Sequence, residues 1–203
     1  MEYLVTMTTQ VPDGTPDKDV ENIRAREALR ARELATEGHL LRLWRPPLQL
    51  GEWRTVGLFA AEDARDLETA LASMPLRVWR TDEVTPLTAH ANDPASAPAT
   101  GHDRQVHNQE FLTALTVTVP VGTVKQDEDQ TRAKEAARAH ELAEDGHLVR
   151  LWRLPGESRY LGLWRASDAT EMGAILESLP LAHWMTVEVT PLSAHPNDPP
   201  IVA

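Results

Sequence analysis

Residues 38–45 read GHLLRLWR, and residues 146–153 read GHLVRLWR. Two such stretches 108 residues apart, differing at one position, point to a duplicated domain. The same spacing aligns YLVTMTTQVPDGT from Tyr3 with FLTALTVTVPVGT from Phe111, and RARELA from Arg30 with RAHELA from Arg138. Further on it falls to 105, aligning SMPL from Ser73 with SLPL from Ser178 and EVTPLTAHANDP from Glu83 with EVTPLSAHPNDP from Glu188. One loop of the second copy is therefore three residues shorter. The reading is of a first domain at 1–94, a linker at 95–110 rich in Ala, Pro, Ser, His and Gly, and a second domain at 111–203.

Periodicity within one copy gives the element order. Tyr3 to Val11 alternates and is rich in Val and Thr, which predicts a strand ended by Pro12-Asp13-Gly14. Asp17 to Glu37, with its acidic start and Gly38 behind it, predicts a long helix with a glycine stop. Leu40 to Arg45 and Arg54 to Phe59 read as strands, Ala64 to Ser73 as a second helix closed by Pro75, and Val78 to Val84 as a last strand. The order β-α-β-β-α-β is the split βαβ arrangement of ferredoxin-like domains. The fold class expected is α+β, two tandem ferredoxin-like domains with antiparallel sheets. A sheet with both helices on one face leaves the other bare, and LLRLWR is apolar on both, so the duplication predicts an intrachain pseudo-dimer of the dimeric α+β barrel type.

Composition narrows the function. At 41% hydrophobic and 25% charged, 203 residues are enough for packed cores. The 31 acidic against 20 basic residues, net −11, exclude a phosphate-tracking surface, so neither nucleic acid nor an anionic membrane is the expected partner. The absence of cysteine removes disulfides, thiolate metal sites and a Cys nucleophile. The N-terminus lacks a basic region followed by an apolar run, and no apolar stretch reaches eighteen residues, so a cytoplasmic protein is expected.

The first long helix carries Val20, Ile23, Glu27, Ala31 and Leu34 at spacings of three and four, which places Glu27 inside the core-facing stripe. Thr131, Glu135, Ala139 and Leu142 repeat the pattern. A carboxylate there must be paired, hydrogen-bonded or protonated, and burial raises its pKa towards the range of a general base. Glu27 and Glu135 are thus the candidate catalytic residues; an ion pair with an arginine such as Arg42 or Arg150 is the structural alternative. His39 and His147 follow the helix-ending glycines, and His90 and His195 follow the last strands; each is read either as a loop or helix-end contact or as a direct participant. Six tryptophans against two Phe and two Tyr, with Arg42, Arg45, Arg150 and Arg153 alternating around Trp44 and Trp152, fit sheet packing or an aromatic-walled pocket for a flat molecule. The substrate-binding candidates are His39, Arg42, Trp44, His147, Arg150 and Trp152. No HExxH-type spacing, phosphate loop or nucleophile elbow is present, so neither metal nor cofactor is implied.

The run from Ile23 through LATEGHLLRLWR, the SMPL turn and EVTPLTAHANDP resemble the muconolactone Δ-isomerase family, as do AEDGHLVRLWR, YLGLW, SLPL and EVTPLSAHPNDP of the second copy. The resemblance covers nearly the whole chain apart from the linker and the extreme ends. It implies small ferredoxin-like units that oligomerise and move a proton in an unsaturated five-membered lactone, without cofactor, during catechol breakdown by the β-ketoadipate pathway. The family's helix carboxylate maps onto Glu27 and Glu135. Its tyrosine-serine pair maps onto Val56-Gly57 and Leu161-Gly162, so those polar groups are missing here. The readings are an isomerase of a small unsaturated lactone or related carbonyl compound, another small-molecule enzyme of secondary metabolism such as a cyclase or cofactor-free monooxygenase, and a non-catalytic binding or assembly protein.

Overall fold

The computed structural model describes residues 1–96 and 109–200. Most of the expected linker lies outside the described residues. The first copy forms β1 (Glu2–Thr9), α1 (Asp17–Thr36), β2 (Leu40–Arg45), β3 (Arg54–Ala60), α2 (Ala64–Ala72) and β4 (Arg80–Ala89). The second forms β5 (Gln109–Val117), α3 (Lys125–Glu144), β6 (Leu148–Arg153), β7 (Arg159–Ala166), α4 (Ala169–Glu177) and β8 (Met185–Ala194). The α+β class and the duplicated antiparallel β-α-β-β-α-β order are those read from the sequence.

Two compact units result, and their borders do not follow the repeat. One comprises Met1–Leu87 with Ser193–Ala203, the other Thr88–Leu192. In the first unit the antiparallel order is β4-β1-β3-β2, and Ser193 and Ala194 add to the outer edge of β2 opposite Arg45 and Trp44. In the second it is β8-β5-β7-β6, with Thr88 and Ala89 against Arg153 and Trp152 of β6. Each unit therefore closes one sheet edge with a short segment from the far end of the other repeat.

Local chemistry explains the helix limits. Asp63 and Asp168 accept hydrogen bonds from the two following backbone N–H groups they cap, at 2.8 and 2.9 Å in each case. The helices α1 and α3 end in paired Schellman bonds: Gly38 N–H to Ala35 and His39 N–H to Leu34, and the same with Gly146 and His147. Both glycines have φ +81°, the left-handed conformation that this ending requires.

The last strand of each repeat departs from expectation. Residues 75–79 form a 3-10 turn, so β4 begins at Arg80 and runs past Pro86 to Ala89. Pro86 is tolerated because over that stretch β4 pairs on one side only, with β1, and a proline needs no donor towards an open edge.

Leu34, Leu40, Phe59, Leu71 and Val5 pack the first core between sheet and helices, and Leu142, Leu148, Trp164, Met172 and Phe111 the second. On the opposite sheet faces Trp44 and Trp152 are also buried. No helix among the described residues is long and apolar enough to cross a membrane.

Gly162 and Gly173 should respond oppositely to alanine. A Cβ at Gly162 would run into the Trp164 indole and the Thr113 hydroxyl, whereas one at Gly173, inside α4, meets open space. We expect Gly162→Ala to cost about 1–3 kcal/mol and Gly173→Ala to gain about 0.5–1 kcal/mol, measured as shifts in the urea midpoint followed by tryptophan fluorescence.

Candidate active site

Each unit holds a cavity between its long helix and its sheet, of about 310 Å³ in the first and about 260 Å³ in the second. Glu27 and Glu135, on the inward stripes of α1 and α3, line these cavities. Glu27 is buried; one carboxylate oxygen accepts from the Leu76 N–H at 2.8 Å and the other from Arg80 at 3.1 Å. Arg80 in turn holds Asp82 through Nε at 2.6 Å and Nη2 at 3.0 Å. Burial pushes the Glu27 carboxyl above its ordinary value, opposed by the Leu76 hydrogen bond and by Arg80. Glu135 accepts from the Leu181 N–H at 2.9 Å, and the residue at the Arg80 position is Met185. Its carboxyl is also raised by burial, with the Leu181 hydrogen bond opposing.

Each cavity is also lined by a histidine from the far end of the other repeat: His195 in the first, His90 in the second. Their placement rests on a repeated clamp. The outer edge of β2 at Leu43 offers its carbonyl to the His195 N–H at 3.0 Å and its N–H to the Asp198 carboxylate, which also takes Arg42 at 3.1 Å. In the second unit Leu151 receives the His90 N–H at 3.0 Å, and its own N–H donates to Asp93 at 3.0 Å, with Arg150 on the same carboxylate at 3.1 Å. Within each turn the N–H of Asn197 or Asn92 donates to the histidine Nδ1, at 3.1 and 3.0 Å. A neutral ring so held carries its proton on Nε2. Both rings are kept neutral. Burial, then Arg45 and Arg24, push His195 down to about 4, while burial and Arg153 lower His90 against the pull of Asp93.

The other expected site residues lie elsewhere. Along β2, Leu43 and Arg45 face the cavity, so strand alternation sends Arg42 and Trp44 to the opposite face, where the guanidinium lies 4.9 Å from the indole centroid. Arg150 and Trp152 repeat this at 4.7 Å. Neither arginine pairs with the helix glutamate, since each is committed to the clamp aspartate. His39 and His147 place Nδ1 at 3.0 and 2.9 Å from the carbonyls of Ala60 and Arg165 and line neither cavity. The tryptophans at the cavities are Trp53 in the first and Trp164 in the second, the latter donating to the Thr113 hydroxyl at 2.8 Å. Gly57 and Gly162, where the resembled family has a polar side chain, give their space to the Phe59 and Trp164 rings. The sequence reading did not single out Arg24 or Arg80 as lining residues, and it named Arg45 beside the tryptophans without placing it among the substrate-binding candidates. Parity with Leu43 would have found Arg45, and the change from RVWR to AHWM between the copies marks Arg80. Among the described residues no group of three or more His, Asp or Glu could hold a metal ion.

The architecture defines a duplicated α+β protein with one carboxylate-lined cavity per unit, and comparisons with known proteins place its family. The profile of the muconolactone delta-isomerase family matches residues 1–93 and 109–198, and the chain belongs to that family. Muconolactone Delta-isomerase of Rhodococcus opacus is 32% identical over 88 residues, 43% of this chain and 95% of that one. Muconolactone Delta-isomerase 1 of Acinetobacter lwoffii is 32% identical over 87 residues, 43% and 91% of the two chains. A mutant chlorite dismutase from Candidatus Nitrospira defluvii, 10% identical, superposes over 95% of this chain and 91% of its own with a TM-score of 0.60, a likeness of fold.

Because His195 titrates lower in the folded chain than its ordinary value near 6.5, the unfolded chain binds more protons between that pH and about 4. Its contribution to stability is therefore complete above pH 6.5 and is lost as the pH falls through that window. By NMR the His195 ring should titrate near pH 4. In Arg24→Gln, Arg45→Gln, which removes the two guanidinium groups that oppose the imidazolium, the midpoint should rise towards the ordinary value.

Proposed function

We propose that the chain is a cofactor-independent isomerase of a small unsaturated lactone or related carbonyl compound, with Glu27 and Glu135 as the proton-transfer groups. The observation that carries this reading is a helix glutamate that shares its cavity wall with a histidine in each repeat, the carboxyl raised and the imidazole lowered by burial. The carboxylate takes a proton from the γ carbon, next to the C=C that is conjugated with the lactone carbonyl, and the electron pair of that C–H bond becomes a new C=C of a dienolate. The carboxylic acid so formed returns the proton to the carbon next to the carbonyl, so the double bond shifts and nothing is consumed. Negative charge on the enolate oxygen needs a donor that is not itself acidic enough to be lost, and the Nε2–H of His195 or His90 supplies one. Raised carboxyls suit the base role because their conjugate acids survive closer to neutral pH for the return step.

The substrate proposed first is muconolactone, after the family. A related small molecule is favoured by one feature: the rings of Phe59 and Trp164 occupy the room that a larger side chain at Gly57 or Gly162 would take.

Incubation with muconolactone, followed by ultraviolet absorbance and by C–H exchange in deuterated buffer, tests the reading. We expect the double variant Glu27→Gln, Glu135→Gln to lose about 10²–10⁴-fold in rate, with one single variant carrying most of the loss. Turnover and exchange that persist in the double variant would refute the assignment. Glutamate-dependent C–H exchange without turnover would keep the chemistry and replace the substrate.

A further inference from the structure

The two cavities hold equivalent places in the repeat but present different chemistry. At the first, Arg24 and Arg45 line the wall as exposed side chains, and neither is ion-paired among the described residues. Arg24 lies 5.3 Å from the Trp53 ring centroid. Thr9 and Thr55, both buried, add hydroxyls, and Arg80 adds a buried guanidinium already committed to Glu27 and Asp82. The first cavity thus has two cations available to a ligand and a polar floor.

The second cavity has lost most of these features. Val117 and Met185 stand where the first has Thr9 and Arg80, and at the Thr55 position a phenol hydroxyl, that of Tyr160, replaces the threonine's. Arg132, the counterpart of Arg24, is neutralised by Glu128 at 2.8 Å, a residue that replaces Val20. Arg153, the counterpart of Arg45, does not line the cavity. Apart from His90, Asn92 and Glu135 the remaining wall is apolar, built mainly of Leu115, Leu148, Leu151, Trp164, Leu179 and Leu181. Arg153 acts on His90 only from outside the wall, so an anion moved there from water would lose hydration without an unpaired cation to contact, whereas an uncharged ring would gain burial.

We propose that the two cavities are divided by ligand charge: the first takes a small carboxylate-bearing molecule, held by Arg24 and Arg45, and the second takes an uncharged, mainly apolar molecule of similar size. A guanidinium matches a carboxylate in shape and charge, and Trp53 beneath Arg24 supplies a flat contact for an attached ring. The division goes beyond the proton-transfer reading, since it concerns binding in both cavities and holds whether or not either glutamate turns a substrate over.

Benzoate and benzamide, which share a ring and a planar substituent but differ in charge, test it on the full chain by isothermal titration. Benzoate binding should weaken about tenfold or more in Arg24→Gln, Arg45→Gln and stay unchanged in Ala136→Leu, which fills the second cavity from the α3 side. Benzamide should show the converse. In the unaltered chain, benzoate should shift the Trp53 indole N–H resonance and benzamide that of Trp164, a readout that stands even if a variant fails to fold. Benzoate binding that survives loss of both arginines, both probes moving the same tryptophan, or no saturable binding of either would overturn the proposal. The measurement involves no turnover, so its failure and the failure of the isomerase reading are told apart.

Discussion

A carboxylate on the edge of a strand organises each unit. Asp198 takes the Leu43 N–H and Arg42 together, and Asp93 takes the Leu151 N–H and Arg150. An exposed strand edge is a row of unmet donors and acceptors, and a charged acceptor on one such donor is stronger than a neutral one. By closing that edge the aspartate fixes the turn before it, and with it the histidine that lines the cavity alongside the helix glutamate. The arginine is held by the same carboxylate, which is why it is not free for the cavity. One local satisfaction of polar groups therefore sets both what the site contains and what it lacks.

Chemistry at the site then rests on opposed environments. The glutamates are lifted because burial costs a carboxylate its hydration, while the histidines are lowered because burial and neighbouring guanidinium groups penalise an imidazolium. A group inclined to hold a proton and a ring inclined to stay neutral are the two parts that a proton shuttle with a neutral hydrogen-bond donor needs. The first unit moderates its glutamate with Arg80 and the second does not, so duplication has left one backbone plan carrying two different electrostatic settings.

Much was legible in the sequence. The repeat of GHLLRLWR exposed the duplication, period-two and three-four spacing produced the element order, and the stripe Ile23, Glu27, Ala31, Leu34 placed a carboxylate on the inner face of a helix. These succeed because side-chain direction along one helix or strand is a local property of the backbone. Along β2 alternation alone did not separate Arg42 and Trp44, which turn away from the cavity, from Arg45, which lines it. Alternation tells which residues share a face but not which face holds the cavity.

What only the tertiary structure decided is where the chain ends of each repeat go. Nothing periodic in SAHPNDP says that its histidine completes the unit containing Glu27 while its aspartate binds Leu43, since an edge strand's hydrogen bonds can be met by any segment that reaches it. The buried pairing of Glu27 with Arg80, 53 residues away, has the same character. Sequence by itself determined the fold class, the duplication and the inward carboxylates, because those follow from local geometry. The histidine partners, the clamps and the difference in charge between the cavities were decided by long-range packing, which selects among partners that local patterns leave equivalent.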